Sequence, residues 1–287
     1  MNQSEYQISE WPRIRNLIGL LLRQQRPNTM HGFVELDITV PLERIEALQA
    51  NSQMAITLNT YMLYAISRIA ARHEEMRTYR HGRKKIVFRN VDIMHPMLKT
   101  LPNGLKVPVM YIVRRADTKS LAELHTELKN AATQTDLTEE KEVRFRRSLI
   151  RLPYWIQALV YRYIFSHPVR MNRYFGNLGM TTLRQSGFHV PMVSLPPNVY
   201  AVQLSLNNVF EQFVPDRNKN PVLRKFIRIG GGFDHLVLDG MHLASITRDF
   251  VDFCAKGEGL DDGLSLHESS KINLEGAYAQ ESPHASP

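Results

Sequence analysis

The sequence predicts an α/β domain built as a two-layer sandwich, a mixed sheet carrying helices. Three observations predict it. Strand-like apolar runs and helix-like periodic runs follow one another along most of the chain. Turn signals, such as Pro102-Asn103-Gly104, stand between them. A hydrophobic content of 43% with 22% charged residues is ordinary for a globular protein with its own core.

Each element has a local reason. Trp11 to Gln25 reads as an amphipathic helix, with Leu17, Leu20 and Leu21 at helical spacing. Phe33 to Val40 alternates as a strand does, and Pro41 opens a short helix with Leu42, Ile45 and Leu48 on one face. Thr57 is placed to cap a longer helix through His73, whose core face is Tyr61, Tyr64, Ala65 and Ile69. Lys85 to His95 and Leu105 to Arg114 read as two strands, and Thr118 or Ser120 caps a helix to about Thr133. Gly176 to Leu183, Tyr200 to Asn207 and Val222 to Gly230 read as strands, and a last helix runs from about Asp239 to Cys254. The spans give an N-terminal extension at 1–10, a domain at 11–255 with a helical insertion at about 138–174, and an acidic tail at 256–287. The tail carries six acids against two lysines without periodicity, which predicts disorder.

The net charge of +8 is uneven. Val143 to Phe175 holds seven arginines and no acid, and Arg77 to Arg89 adds six basic residues, again without an acid. Such patches attract coenzyme phosphates, an anionic membrane or an acidic partner, and no nucleic-acid motif accompanies them. The single cysteine, Cys254, excludes an intrachain disulfide, fits a reducing compartment, and sits where a buried helix position is expected. The histidines lack metal-ligand spacing, and the N-terminus lacks the pattern of a signal peptide. Inside the insertion, Pro153 opens a helix to Phe165 whose apolar residues cover most of its circumference. That helix packs on its own or a neighbouring subunit, lies on an anionic membrane, or roofs a site.

The chemistry concentrates in Asp234-His235-Leu236-Val237-Leu238-Asp239-Gly240, an H-x-x-x-D-G motif between a strand-like and a helix-like run. A histidine at a strand end can face a cleft, and its titration near neutrality suits a general base. Without catalysis, the same residues read as a surface histidine and a helix N-cap.

Val107-Pro-Val-Met-Tyr-Ile-Val-Arg-Arg-Ala-Asp-Thr-Lys-Ser-Leu-Ala-Glu-Leu124 resembles a strand–turn–helix segment of the catalytic domain of dihydrolipoamide acyltransferases, the core enzymes of 2-oxo acid dehydrogenase complexes. Arg13 to Ile18 is similar to that domain's first helix and Gly32 to Ile38 to its first strand. With His235 and Asp239, the matches run in the family's order from about residue 11 to 255, within the chloramphenicol acetyltransferase-like superfamily. The resemblance implies a mixed sheet with helices on one face and an acyltransferase moving an acyl group between coenzyme A, or a lipoyl or carrier thiol, and an acceptor. It implies acyl-CoA or CoA as substrate without a covalently bound cofactor, a cytoplasmic homotrimer, and a site shared between subunits. Peripheral contact with an anionic membrane is the expectation the insertion adds.

By the same resemblance His235 is the base, and Asp239 braces its loop by pairing with Arg13 or Arg15. The oxyanion donor is a serine or threonine in S/T-x-L-G, and two registers are open here. Gly176-Asn177-Leu178-Gly179 puts glycine at the hydroxyl position, whereas Thr181-Thr182-Leu183-Arg184 keeps the hydroxyl and loses the glycine. Thr181, 54 residues before His235, is the preferred donor; absence of any donor is the third reading. Leu236 stands where the family has arginine, and neither a lipoyl nor a subunit-binding domain is expected. A catalytically degenerate trimeric scaffold, binding a membrane or partner through the insertion, is the alternative function.

Overall fold

The computed structural model describes residues 13–51, 55–100, 106–133, 141–183 and 192–260. The expected N-terminal extension, the first residues of the insertion and the tail beyond Leu260 lie outside them. Six strands form one mixed sheet in the order β1-β8-β7-β6-β4-β5. They are β1 (Thr29–Asp37), β4 (Ile93–Thr100), β5 (Lys106–Val113), β6 (Leu178–Thr182), β7 (Val202–Pro215) and β8 (Pro221–Asp234). β6 runs parallel to both neighbours and the remaining pairs are antiparallel.

Strand alternation sends successive side chains into two cores. Ile93 and Val113 enter the first, whereas Met94 and Ile112 enter the second. The first face is covered by α2 (Thr39–Asn51), α3 (Leu58–Arg72), α4 (Leu121–Thr133) and α8 (Gly240–Lys256). Two caps match their sequence signals. Thr57 Oγ1 accepts from Thr60 N at 3.2 Å to start α3. Ser120 and Glu123 exchange bonds between backbone N–H and side chain at the start of α4, a capping box. Cys254 is fully buried in this core, where burial pushes its thiol up to about 12.

The second face departs from the expected one-sided arrangement. α1 (Arg13–Leu22), α5 (Lys141–Ile150), α6 (Tyr154–Phe165) and α7 (Pro168–Phe175) build a second core there from Leu17, Leu20, Tyr161, Ile164, Phe175 and Tyr200. The insertion is therefore the extra layer that makes the sheet two-sided. α6 begins after Pro153, as the sequence indicates, and buries Gln157, Tyr161 and Ile164.

Three more expectations shift. A charged hairpin, β2 (Thr78–His81) with β3 (Lys84–Val87), occupies part of the single strand read over 85–95. Its two-residue loop starts at Gly82, whose φ of +59° suits glycine in a tight hairpin turn. β7 and β8 extend into a long hairpin past a register shift between Leu206 and Val209; the outer half leaves the core, so its residues lose the apolar alternation that marks a strand. The domain also continues past residue 255, because Leu260 is fully buried in the first core.

Candidate active site

His235 follows the last residue of β8 and opens the turn into α8. Its backbone N–H donates to Asn28 O at 2.8 Å, and its ring Nδ1 faces Leu238 O at 3.0 Å. A carbonyl only accepts, so Nδ1 carries the proton and Nε2 keeps its lone pair. The ring is exposed, with Nε2 directed away from the backbone that holds Nδ1. The turn is tied down by Asp234, whose carbonyl accepts from Val237 N at 2.9 Å and Leu238 N at 3.0 Å. The Asp234 side chain, 4% exposed as a residue, accepts from Leu236 N at 3.1 Å.

The brace expected between Asp239 and Arg13 or Arg15 is not formed. Asp239 is the N-cap of α8 and accepts from Met241 N and His242 N, both at 3.0 Å, with the His242 ring 2.8 Å from its carboxylate. Those bonds, the His242 backbone N–H first, hold its carboxyl below the usual range. Arg13 and Arg15 are exposed on α1. The arginine that reaches the loop is Arg26, with Nε 3.9 Å from Asp234 Oδ2, 3.4 Å from Val199 O, and its guanidinium 5.1 Å from the Tyr79 ring centroid. Tyr79 is itself fixed, donating to Asn177 O at 2.6 Å and accepting from Ala201 N at 3.1 Å. The sequence signal for this brace was an acid directly before the histidine and an arginine in the turn before β1.

The two registers for the hydroxyl donor separate on geometry. Gly176 has φ +77°, and a Cβ there would fall 2.6 Å from Asp92 O. Asn177 is 1% exposed and joins Asp92 N, Asn90 O and the Tyr79 hydroxyl, so that stretch is a structural knot. Thr182 faces the first core, where its hydroxyl donates to Asn59 Oδ1 at 2.6 Å. Asn59 continues to His95 Nε2 at 3.1 Å, and His95 Nδ1 faces Met180 O at 3.3 Å. Burial holds the His95 pKa below its ordinary value. Thr181 therefore projects from the opposite face, half-buried, and no hydrogen bond engages its hydroxyl among the described residues.

Within one copy Thr181 and His235 do not meet. Thr181 lies opposite Ser205, and Ser205 opposite Gly230. His235 is five residues beyond Gly230; at ~4.8 Å per strand and ~3.3 Å per residue the separation is roughly 19 Å. The Thr181 row belongs to the second face, where the 192–198 segment crosses: a Cβ on Gly230 would fall 2.2 Å from Ser194 O, and one on Gly232 2.9 Å from the Asn198 Cβ. Those two glycines admit a crossing segment.

Beside the His235 turn, a cleft of about 550 Å³ is walled by Leu236, Val237 and His242 on one side and by Arg80, Arg83, Lys84 and Lys85 of the hairpin on the other. Among the described residues no three histidine, cysteine or acidic side chains are grouped to hold a metal ion, and no helix is long and apolar enough to cross a membrane.

Residues 4–144 match the family model described as 2-oxoacid dehydrogenases acyltransferase (catalytic domain). Among solved structures, the chain is similar to a probable dihydrolipoamide acetyltransferase from Listeria monocytogenes, with a TM-score of 0.64 and 15% identity over 88% of this chain and 96% of that one. It is similar to the dihydrolipoamide acetyltransferase of Azotobacter vinelandii, with a TM-score of 0.61 and 16% identity over 91% and 97% of the two chains. The cubic core of a pyruvate dehydrogenase multienzyme complex gives 0.59 and 16% over 91% and 97%. At these identities the structures speak for the fold, which is the one the sequence resemblance implied. No curated protein matches the chain.

Proposed function

We propose, from a chain whose residues 4–144 match the 2-oxoacid dehydrogenases acyltransferase (catalytic domain) family model, that it transfers acyl groups between thiols with His235 as general base and Thr181 of a neighbouring copy as oxyanion donor. The family is one of acyltransferases, and the observation that carries the finer reading is the Nδ1 contact to Leu238 O, which leaves Nε2 as the basic nitrogen. Nε2 takes the proton from the attacking thiol as its sulfur bonds to the thioester carbon. The Thr181 hydroxyl donates to the oxyanion so formed. When the carbon–sulfur bond to the leaving thiol breaks, the imidazolium returns the proton to that sulfur, and histidine ends as it began.

A reacting carbon has to sit about 3 Å from both groups, and one copy holds them roughly 19 Å apart, so the site needs two copies. Exposed apolar surface supports the assembly. Trp155, Leu159 and Tyr163, at helical spacing on α6, are 64%, 57% and 62% exposed. Phe213 and Leu223 form an exposed cross-strand pair on the β7–β8 hairpin. The cubic core among the similar structures is itself an assembly, and a closed trimer is the economical arrangement. In the Azotobacter enzyme a serine, a histidine and an asparagine serve the catalytic mechanism, the last two four residues apart, as His235 and Asp239 are. The basic side chains of the β2–β3 hairpin suit the phosphates of coenzyme A, which sets its thiol end toward the His235 turn.

The test is release of free thiol from a panel of acyl-CoAs with dihydrolipoamide or carrier thiols as acceptors. His235→Ala lowers transfer on the order of a thousandfold while the far-UV spectrum and melting curve stay those of the wild type. Equal rates in the two proteins overturn the proposal and leave the scaffold reading.

A further inference from the structure

The first face of the sheet contains a cavity of about 220 Å³ beneath α3 and α8. Its floor has a specific cause. Gly32 of β1 lies in register with Gly231 of β8, and Gly231 with Leu204 of β7. Residues paired across neighbouring strands point to one face, so two adjacent positions on this face lack a side chain. Ile66, Ile246 and Phe250 form the roof. A Cβ placed on Gly32 meets no atom within 4 Å, which makes Gly32 the open end of the floor.

The cavity's lining along β8 ends at Phe233, two residues before the proposed base. Ile229, Gly231 and Phe233 line it from β8, every second residue, and the next in that alternation is His235. A Cβ on Gly231 would fall 2.5 Å from Phe233 Cζ, so the ring that precedes the base leans over the glycine floor.

We infer that this cavity receives the hydrocarbon chain of the transferred acyl group, and that the preferred acyl group is a linear chain of medium length. The inference rests on the reading of His235 as the base. A thioester carbon at His235 Nε2 has its sulfur directed to the basic cleft and its alkyl chain directed past Phe233 into the cavity. An apolar cavity of about 150 Å³ stays dry and takes up a molecule of benzene's size, so 220 Å³ corresponds to roughly eight carbons. The walls carry no charged side chain and Thr247 is their one side-chain hydroxyl, which disfavours dicarboxylic acyl groups.

The full chain is titrated with CoA, acetyl-CoA and octanoyl-CoA, and transfer rates to a thiol acceptor are measured with the two thioesters. Each methylene buried strengthens binding about fourfold, so octanoyl-CoA binds at least tenfold more tightly than acetyl-CoA. Gly32→Leu puts a side chain into the cavity, and the octanoyl-to-acetyl ratio of affinities falls toward one while the melting temperature does not drop. Ile246→Phe fills the space from the helix side and gives the same loss of preference should Gly32→Leu fail to fold. Equal affinities for octanoyl-CoA and acetyl-CoA in the wild type overturn the inference, as does a ratio left unchanged in both variants. A tenfold preference that the variants abolish, in a protein that transfers no acyl group to any acceptor, keeps the pocket and overturns the acyl-transfer reading instead.

Discussion

The two faces of the sheet differ in how complete they are. The first face, under α2, α3, α4 and α8, is the larger core, mostly aliphatic with Tyr61, Tyr64, Phe250 and Phe253 among its members, interrupted by a cavity and with Tyr61 Oη as its one buried polar side-chain atom without a hydrogen-bond partner among the described residues. The second face, under α1 and the inserted α5, α6 and α7, is aromatic and unfinished. Gln157 Oε1, Arg170 Nε and Asn172 Oδ1 are buried there without a hydrogen-bond partner among the described residues, and the Trp155–Leu159–Tyr163 stripe lies open. Buried polar atoms without partners are costly, and an open apolar stripe marks an interaction surface. Thr181 belongs to this unfinished face. The lesson is one of division: the base sits with the self-sufficient half of the domain, and the proposed oxyanion donor sits with the half that needs a neighbour.

The sharpest way to break that comparison is to separate the halves genetically. Thr181→Ala alone lowers turnover roughly a hundredfold, the usual cost of one oxyanion donor. Two impaired variants, His235→Ala and Thr181→Ala, are then unfolded and refolded together. Where base and donor come from different copies, mixed assemblies contain interfaces with both groups intact, and activity rises well above that of either variant refolded alone. No recovery in assemblies that a native mass spectrum shows to be mixed places both groups in one copy, or removes Thr181 from the mechanism.

The first face was also the more legible one in the sequence. Thr57, Ser120 with Glu123, and Asp239 each announce a helix start by a side chain that satisfies a free backbone N–H, a local signal that tertiary contacts do not overwrite. The H-x-x-x-D-G spacing located the turn correctly for the same reason. What the sequence hid was long-range. The Arg26–Asp234 contact joins residues 208 positions apart, and the exposed arginines of α1 offered equally plausible partners. The glycine pair Gly32 and Gly231 reads as two unrelated glycines until the register of β1 on β8 is known. The outer half of the β7–β8 hairpin lacks a buried face, so it carries no alternation to read.

The brace gives a second test, because it joins the faces. Asp234 belongs to the His235 turn, while Arg26 rests on Tyr79 and Val199, residues of the second core. Asp234→Ala removes an acceptor from Leu236 N and leaves the partly buried arginine without its carboxylate. A loss on the order of 2 kcal/mol in denaturant unfolding is expected, with acyl transfer falling further than unfolding explains. Wild-type stability in Asp234→Ala, or a comparable loss in Arg13→Ala, returns the brace to α1.

The end of β6 allows a test by pH. His95 is buried and neutral in the folded protein, its pKa held below the ordinary 6.5 by burial. Below pH 6.5 the unfolded chain binds a proton at this position that the folded one refuses. Its contribution to stability is thus complete above that pH and declines as the pH falls through 6.5 toward the folded-state pKa, by at most about 1.4 kcal/mol per pH unit. His95→Gln should flatten the melting-temperature profile between pH 6.5 and 5. An unchanged slope means that other groups govern acid sensitivity, and the Thr182–Asn59–His95 chain is then no anchor for Thr181.

The smallest effect belongs to Asp239, and it separates a cap from a catalytic brace. As the N-cap of α8 it accepts two backbone N–H groups, and its carboxyl stays below its usual range for that reason. A depressed carboxyl pKa means stability present above the unfolded value of 3.8 and lost as the pH falls through the folded one, so neutral and mildly acidic solutions keep the cap intact. Asp239→Asn, which still accepts at the N-cap, should melt within about a degree or two of the wild type, since asparagine and aspartate cap helices about equally well. Asp239→Ala should melt a few degrees lower, and both variants should keep most of their acyl transfer, since His235 is held by Asn28 and Leu238. A hundredfold loss of turnover in Asp239→Asn with an unchanged melting curve would move Asp239 from the frame of the helix into the chemistry.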